Sequence, residues 1–269
     1  MNTGFVGLGS MGGMLVRALL RAGAFSPPDV WIANRSAEKW KSFAAEFPGI
    51  HPASSRDLAA GCDLVFLCVG AGDLPIVLAE MESNLYPGQL LLTTASVVPL
   101  KVLEDRVPCR VAKLIPSVTQ EIAAGIALLM YGSRITPEDR KLLEELLGRI
   151  SHVLVISESQ ARPAISLTSG APALMAYLLQ SMAEEAVRVN PQLSPEVALS
   201  MVLETAAATL RLMETQKMAP QDVIRRVAVP GGMTALSLES LARSLPQAWQ
   251  AIFEKTAERE EKARTTLTL

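Results

Sequence analysis

Histidine and cysteine are scarce in this sequence. Two histidines (His51, His152) and three cysteines (Cys62, Cys68, Cys109) stand widely spaced among 269 residues. They form no zinc pattern and no disulfide framework, so no metal is expected and the reducing cytoplasm is the expected compartment. A surplus of charge of either sign is also missing. The 25 basic and 27 acidic side chains are interspersed and leave a net charge of -2, which excludes the electrostatic footprint of a nucleic-acid or anionic-membrane binder. No secretory signature is read: the first basic residue, Arg17, follows the opening apolar run instead of preceding it. Pro163–Ala183 carries no charge, but Pro163, Ser166, Thr168, Ser169, Gly170, Pro172 and Gln180 interrupt it. A membrane span is not expected there, and a helix buried in a protein or subunit interface is.

What is present is apolar and unevenly punctuated. Hydrophobic residues make up 49% and charged ones 19%, enough for a large core and too apolar for wholesale disorder. Fourteen of the 17 glycines fall in residues 1–157. That stretch alternates short apolar runs (Thr3–Val6, Asp29–Ala33, Leu64–Val69, Gln89–Thr93, Arg110–Leu114, Ala127–Tyr131, His152–Ile156) with helical patterns (Met11–Ala22, Ala37–Glu46, Leu74–Asn84, Pro137–Ile150). Such alternation predicts a parallel sheet covered on both faces. Thr136-Pro137-Glu138-Asp139 and Ser194-Pro195-Glu196 read as capped helix starts. From Glu158 onward the spacing is helical throughout: Ala173–Val189, Pro195–Gln216, Pro220–Val227, Thr234–Ser244 and Pro246–Arg264. The expected architecture is an α/β domain over 1–157 and an all-α domain over 158–269.

The strongest local motif is Gly7-Leu8-Gly9-Ser10-Met11-Gly12. It follows a predicted strand and opens a predicted helix, the context in which such a run binds a dinucleotide. Gly7 allows the tight turn, Gly9 lets backbone approach a pyrophosphate, and Gly12 lets helix and strand pack closely. The helix start supplies unpaired N–H groups and partial positive charge. About 20 residues on, where an NAD enzyme places an acid, this chain has Asn34-Arg35-Ser36, with Lys39 a turn later. Arg35 and Lys39 can pair with a 2′-phosphate and Asn34 and Ser36 can donate to it, so NADPH is expected over NADH. Val69 and Ala95 complete the expected cofactor set. The second motif is Val227-Ala228-Val229-Pro230-Gly231-Gly232-Met233-Thr234, with a Pro-Gly-Gly turn between helices whose backbone N–H groups suit a carboxylate. Thr234 can serve there as a helix cap or as a substrate contact, and the residues alone leave both open.

In order and spacing these motifs resemble the pyrroline-5-carboxylate reductase family. The resemblance spans essentially the whole chain. It includes the N-terminal glycine run, Asn34-Arg35-Ser36, Lys113-Leu114-Ile115-Pro116-Ser117 (similar to the family's Arg-x-Met-Pro-Asn), Thr168-Ser169-Gly170-Ala171-Pro172-Ala173, and Pro230-Gly231-Gly232-Met233-Thr234. It implies a Rossmann-type dinucleotide-binding domain followed by a helical dimerisation domain that interlocks with a second subunit, giving a homodimer or an assembly of dimers. It further implies reduction of a cyclic imine acid, pyrroline-5-carboxylate, to proline with NAD(P)H, as in proline biosynthesis. Thr234 then contacts the ring nitrogen, and Val229, Pro230, Gly231, Gly232 and Met233 line the carboxylate site. Three positions depart from the family: Val229 replaces a serine that binds the carboxylate, Ser117 replaces an asparagine, and Gly70 stands where a lysine is common. Val107-Pro108-Cys109 and Ile115-Pro116-Ser117 are similar to a divergent branch associated with late competence. The departures keep a second class of function in view, a dinucleotide-binding homologue with weak or no turnover and a regulatory role.

Overall fold

The computed structural model describes residues 1–266. Eight strands, β1 (Thr3–Val6), β2 (Val30–Ala33), β3 (His51–Pro52), β4 (Leu64–Leu67), β5 (Leu90–Thr93), β6 (Arg110–Ile115), β7 (Ile126–Tyr131) and β8 (His152–Val155), form one sheet in the order β3-β2-β1-β4-β5-β6-β7-β8. Between them lie α1 (Ser10–Arg21), α2 (Ala37–Glu46), α3 (Ser55–Gly61), α4 (Leu74–Met81), α5 (Leu100–Arg106) and α6 (Pro137–Leu147). The strand order reverses at β1, which pairs with β2 on one side and β4 on the other, both in parallel. That makes a doubly wound, Rossmann-type sheet with its switch point between β1 and β4.

Both faces of the inner strands β1, β2 and β4–β7 are buried, as continuous apolar strands require, while the edge strands β3 and β8 stay largely exposed. One face packs Phe5, Phe66, Leu92 and Leu114 under α1 and α6, with the Phe5 and Phe66 rings stacked 4.5 Å apart. The other packs Val65, Leu67, Leu91 and Val111 under α3, α4 and α5, and also takes Ala161 and Ile165 from α7 (Ala161–Leu167). Thr136 caps α6 as its sequence predicts, accepting the Asp139 N–H at 3.2 Å while Asp139 accepts the Thr136 N–H at 3.0 Å.

The sheet departs from the expected all-parallel form at one pair: β6 and β7 run antiparallel. Only the turn around Val118–Ile122 joins them, and a parallel crossover needs about a dozen residues or more. The short elements β3, α3 and α5 carry too little periodicity to stand out in the sequence.

The chain divides into two compact units, Met1–Gly170 together with the chain from Ala257, and Ala171–Thr256. The second unit contains α8 (Ala171–Val189), α9 (Pro195–Gln216), α10 (Pro220–Val227) and the beginning of α11 (Met233–Thr266). Thr168-Ser169-Gly170 separates α7 from α8 and so breaks the uncharged run 163–183 into two helices. Among the described residues, no helix is long and apolar enough to cross a membrane. Within this unit α8 packs on α9, yet only Ala183 and Ala198 are buried, and Met175, Tyr177, Met182, Met201 and Leu210 stay exposed. The two expected helices 234–244 and 246–264 are one: α11 runs through Pro246. The proline removes one backbone donor and crowds the preceding turn, but the helix formers on both sides hold the continuous helix around it.

Candidate dinucleotide site

The chain leaves β1 into the glycine turn, and three hydrogen bonds set that turn against its neighbours. The Gly7 N–H donates to the Ala33 carbonyl at 2.9 Å, the Cys68 N–H to the Val6 carbonyl at 2.8 Å, and the Leu8 N–H to Asn34 Oδ1 at 2.9 Å. Gly7 adopts φ +93°, where a side chain is strained, and a Cβ there would stand 2.6 Å from the Cys68 carbonyl oxygen. At Gly12 a Cβ would lie 1.9 Å from the Gly7 carbonyl oxygen, so this glycine is what lets α1 lie directly on the turn. Gly9 differs from both: apart from its own chain neighbours, nothing lies within 4 Å of the place its Cβ would take. It precedes α1, whose start has no side-chain cap. An open approach to uncapped helix N–H groups is a cradle fitted to a pyrophosphate.

The cradle opens into a cleft of about 550 Å³ at the carboxyl ends of β1, β2 and β4. The structure brings Gly7, Gly9, Asn34, Arg35, Ser36, Lys39 and Val69 to its walls. Leu8, Ser10, Met11, Gly12 and Ala95 do not line it. Leu8 is buried beneath the turn, Met11 packs against the sheet core, and Ala95 is buried after β5 with its N–H on Thr93 Oγ1. Ser10, at the first position of α1, is exposed. Asn34 is committed to the turn: it accepts from Leu8, and its Nδ2 donates to the Ser36 carbonyl at 3.2 Å. Arg35 projects into solvent with 94% of its side chain exposed. Ala53, Ser54, Cys68, Gly70, Asp73 and Glu80 also line the cleft. The strand-end positions among them were findable, since ligands of doubly wound sheets bind beyond the carboxyl ends of strands at the switch point. Burial pushes the Cys68 thiol up to about 12, against a smaller opposing contribution from Thr94. It stays an uncharged thiol beside the turn.

In the second unit the 229–234 turn is held by the Gly232 N–H donating to the Val229 carbonyl at 3.0 Å, with Gly231 at φ +75°. Val229, Met233 and Thr234 are exposed. With α11 beginning at Met233, the capping position is Gly232, and Thr234 lies one residue inside the helix.

A doubly wound sheet with an uncapped, glycine-opened helix at its switch point is the architecture of a dinucleotide-binding domain. Comparison with known proteins agrees. Residues 2–96 match the family described as NADP oxidoreductase coenzyme F420-dependent, and residues 158–263 match pyrroline-5-carboxylate reductase dimerisation. The chain is 30% identical over 257 residues to ComE operon protein 4 of Bacillus subtilis (strain 168), covering 95% of this chain and 94% of that one. It is also 30% identical over 263 residues to pyrroline-5-carboxylate reductase 3 of the same organism, covering 96% and 95%. Among solved structures it is similar to the pyrroline carboxylate reductase of Plasmodium falciparum with NADP bound, with a TM-score of 0.83, 19% identity and coverage of 100% and 98%. The 1-pyrroline-5-carboxylate reductase of Streptococcus pyogenes gives a TM-score of 0.82, 23% identity and coverage of 98% and 98%. The chain belongs to the pyrroline-5-carboxylate reductase family.

Proposed function

We propose that this protein is an NADPH-dependent reductase of a cyclic imine acid, with pyrroline-5-carboxylate, reduced to proline, as the first substrate to test. The observation that carries it is one chain holding both a cradle fitted to a dinucleotide and an exposed Pro-Gly-Gly-Met-Thr turn at the start of a long helix. When bound, a reduced nicotinamide would supply the hydride for the imine carbon, and the ring nitrogen would take the balancing proton from water. Backbone N–H groups at the start of α11 bind the substrate carboxylate, aided by the positive end of the helix. The Thr234 hydroxyl hydrogen-bonds the ring nitrogen and orients the imine. Positioning of this kind needs few ionisable side chains. The protein assembles as a homodimer or a larger oligomer through its helical unit, whose exposed Met175, Tyr177 and Met201 suit a subunit interface, and it works in the cytoplasm.

Thr234→Ala is expected to lower kcat/KM for pyrroline-5-carboxylate by about ten- to a hundredfold, the worth of one polar contact made in the transition state. Val229→Ser restores a hydroxyl donor at an exposed turn position and is expected to raise kcat/KM about fivefold or more, read in steady-state assays. Arg35 is assigned to the 2′-phosphate. Arg35→Ala is expected to weaken NADPH by about ten- to a hundredfold and leave NADH nearly unchanged, measured by titration calorimetry.

A second reading has its own support. ComE operon protein 4 is as similar to this chain as the reductase is, and Val229 presents an apolar side chain in the turn. On that reading the protein binds the dinucleotide without efficient turnover and acts as a regulatory partner. It takes the place of the first if NADPH binds while neither Thr234→Ala nor Val229→Ser moves any measurable rate.

A further inference from the structure

The cleft holds an acid beside Arg35, the residue that follows β2, and this acid follows a different strand. Asp73 follows the short turn after β4, where the Asp73 N–H donates to the Gly70 carbonyl at 3.0 Å. Its Oδ1 lies 4.0 Å from Nη1 of Arg35, which follows β2. Both residues line the same cleft, as do Lys39 and Glu80. The mouth of the cleft therefore carries two cations and two anions rather than a purely basic pocket. The Arg35–Asp73 pair is solvent-exposed, at 94% and 58% of the side chains, so it is held weakly and is free to exchange partners.

The geometry points to Asp73 as the residue that limits discrimination between NADPH and NADH, a proposal that rests on Arg35 being the 2′-phosphate contact. Any anion bound to Arg35 must displace the Asp73 carboxylate or sit beside it, and a phosphate monoester brings about 1.5–2 negative charges to that spot. The same carboxylate can accept a hydrogen bond from a ribose hydroxyl, the service an acid at the end of the second strand gives in NAD enzymes. One side chain thus opposes the phosphorylated cofactor and favours the other. Its charge matters and its shape does not: Asp73 precedes α4 without making a side-chain cap bond.

The test is Asp73→Asn in the full-length chain, with NADPH and NADH affinities measured at low and at high salt. The ratio of the two dissociation constants is expected to shift toward NADPH by about five- to tenfold at low salt, and by less at high salt as screening grows. A ratio within about twofold of the unmodified protein overturns the proposal, and so does an equal tightening of both dinucleotides, which marks only a general field on the pyrophosphate. Arg35→Ala separates the two levels. If it abolishes the NADPH advantage while Asp73→Asn does nothing, Asp73 is excluded and the phosphate contact stands. If it leaves NADPH affinity unchanged, the phosphate contact itself is wrong.

Discussion

Gly12→Ala is expected to lose dinucleotide binding by about a hundredfold or more and to destabilise the fold by about 2–3 kcal/mol. The added methyl would lie 1.9 Å from the Gly7 carbonyl oxygen and 2.9 Å from Cys68 Cβ. The first of these is backbone and cannot swing aside, so α1 must move off β1 and carry the cradle with it. Gly9→Ala divides the two effects. That position has a negative φ of -68° and, beyond its chain neighbours, nothing within 4 Å of the new methyl, so the fold should hold its melting temperature. The methyl would occupy the space through which the pyrophosphate approaches, and affinity should fall about tenfold or more. Thermal unfolding and cofactor titration on the two variants check the pair. Equal loss of stability in both, or full binding by Gly12→Ala, contradicts the proposed cradle.

These glycines were legible in the sequence because their work is local: strand, turn and helix follow one another within the first turns of the chain. Arg35 was legible for the same reason, standing at a fixed distance beyond the glycine run. Asp73 was not, because it reaches Arg35 only through the pairing of β1 with both β2 and β4. Asn34 was visible as a donor to a phosphate, but the structure engages its amide in holding the Leu8 N–H and the Ser36 carbonyl. The antiparallel β6–β7 pair turned on strand boundaries: the expected runs Arg110–Leu114 and Ala127–Tyr131 leave about a dozen residues, just enough for a crossover, and the longer observed strands shorten that connection. Periodicity alone could not register it. Pro246 misleads in the opposite direction: a proline marks a probable boundary, and a long run of helix formers on both sides overrides it.

Glu158→Ala is expected to destabilise the protein by about 3 kcal/mol at pH 7, because it strips the counterion from a buried lysine. In sequence Lys113 was only one letter of a motif. In the structure its side chain is 2% exposed within β6, and Nζ donates to Glu158 Oε1 at 2.6 Å and to the Ser96 carbonyl at 3.2 Å. Glu158 keeps 34% of its side chain in water, which places the cost at the low end of the range for breaking a buried pair. Burial holds Lys113 below its ordinary value of 10.5, while the Glu158 carboxylate and Glu260 pull it back up and Arg264 adds to the lowering. The sign follows from proton counting. Between the lowered folded value and the ordinary value of 10.5, the unfolded chain binds more protons, so the stability associated with Lys113 rises with pH across that window. Below the folded value the cost of burying the charge is present in full. Removing Glu158 deepens the lowering and enlarges that cost at neutral pH, and the loss should shrink as pH rises and the amine is neutral without a partner. Lys113→Met removes the buried charge and leaves a carboxylate that can hydrate. It should therefore cost little at pH 7, flatten the pH dependence, and reduce the further effect of Glu158→Ala to about 1 kcal/mol, the worth of the Leu100 N–H that Glu158 Oε1 accepts at 3.0 Å. Urea unfolding of the two single variants and the double variant at pH 7 and 9.5 measures the coupling directly. If the two changes prove additive at pH 7, Lys113 and Glu158 do not act as a buried pair.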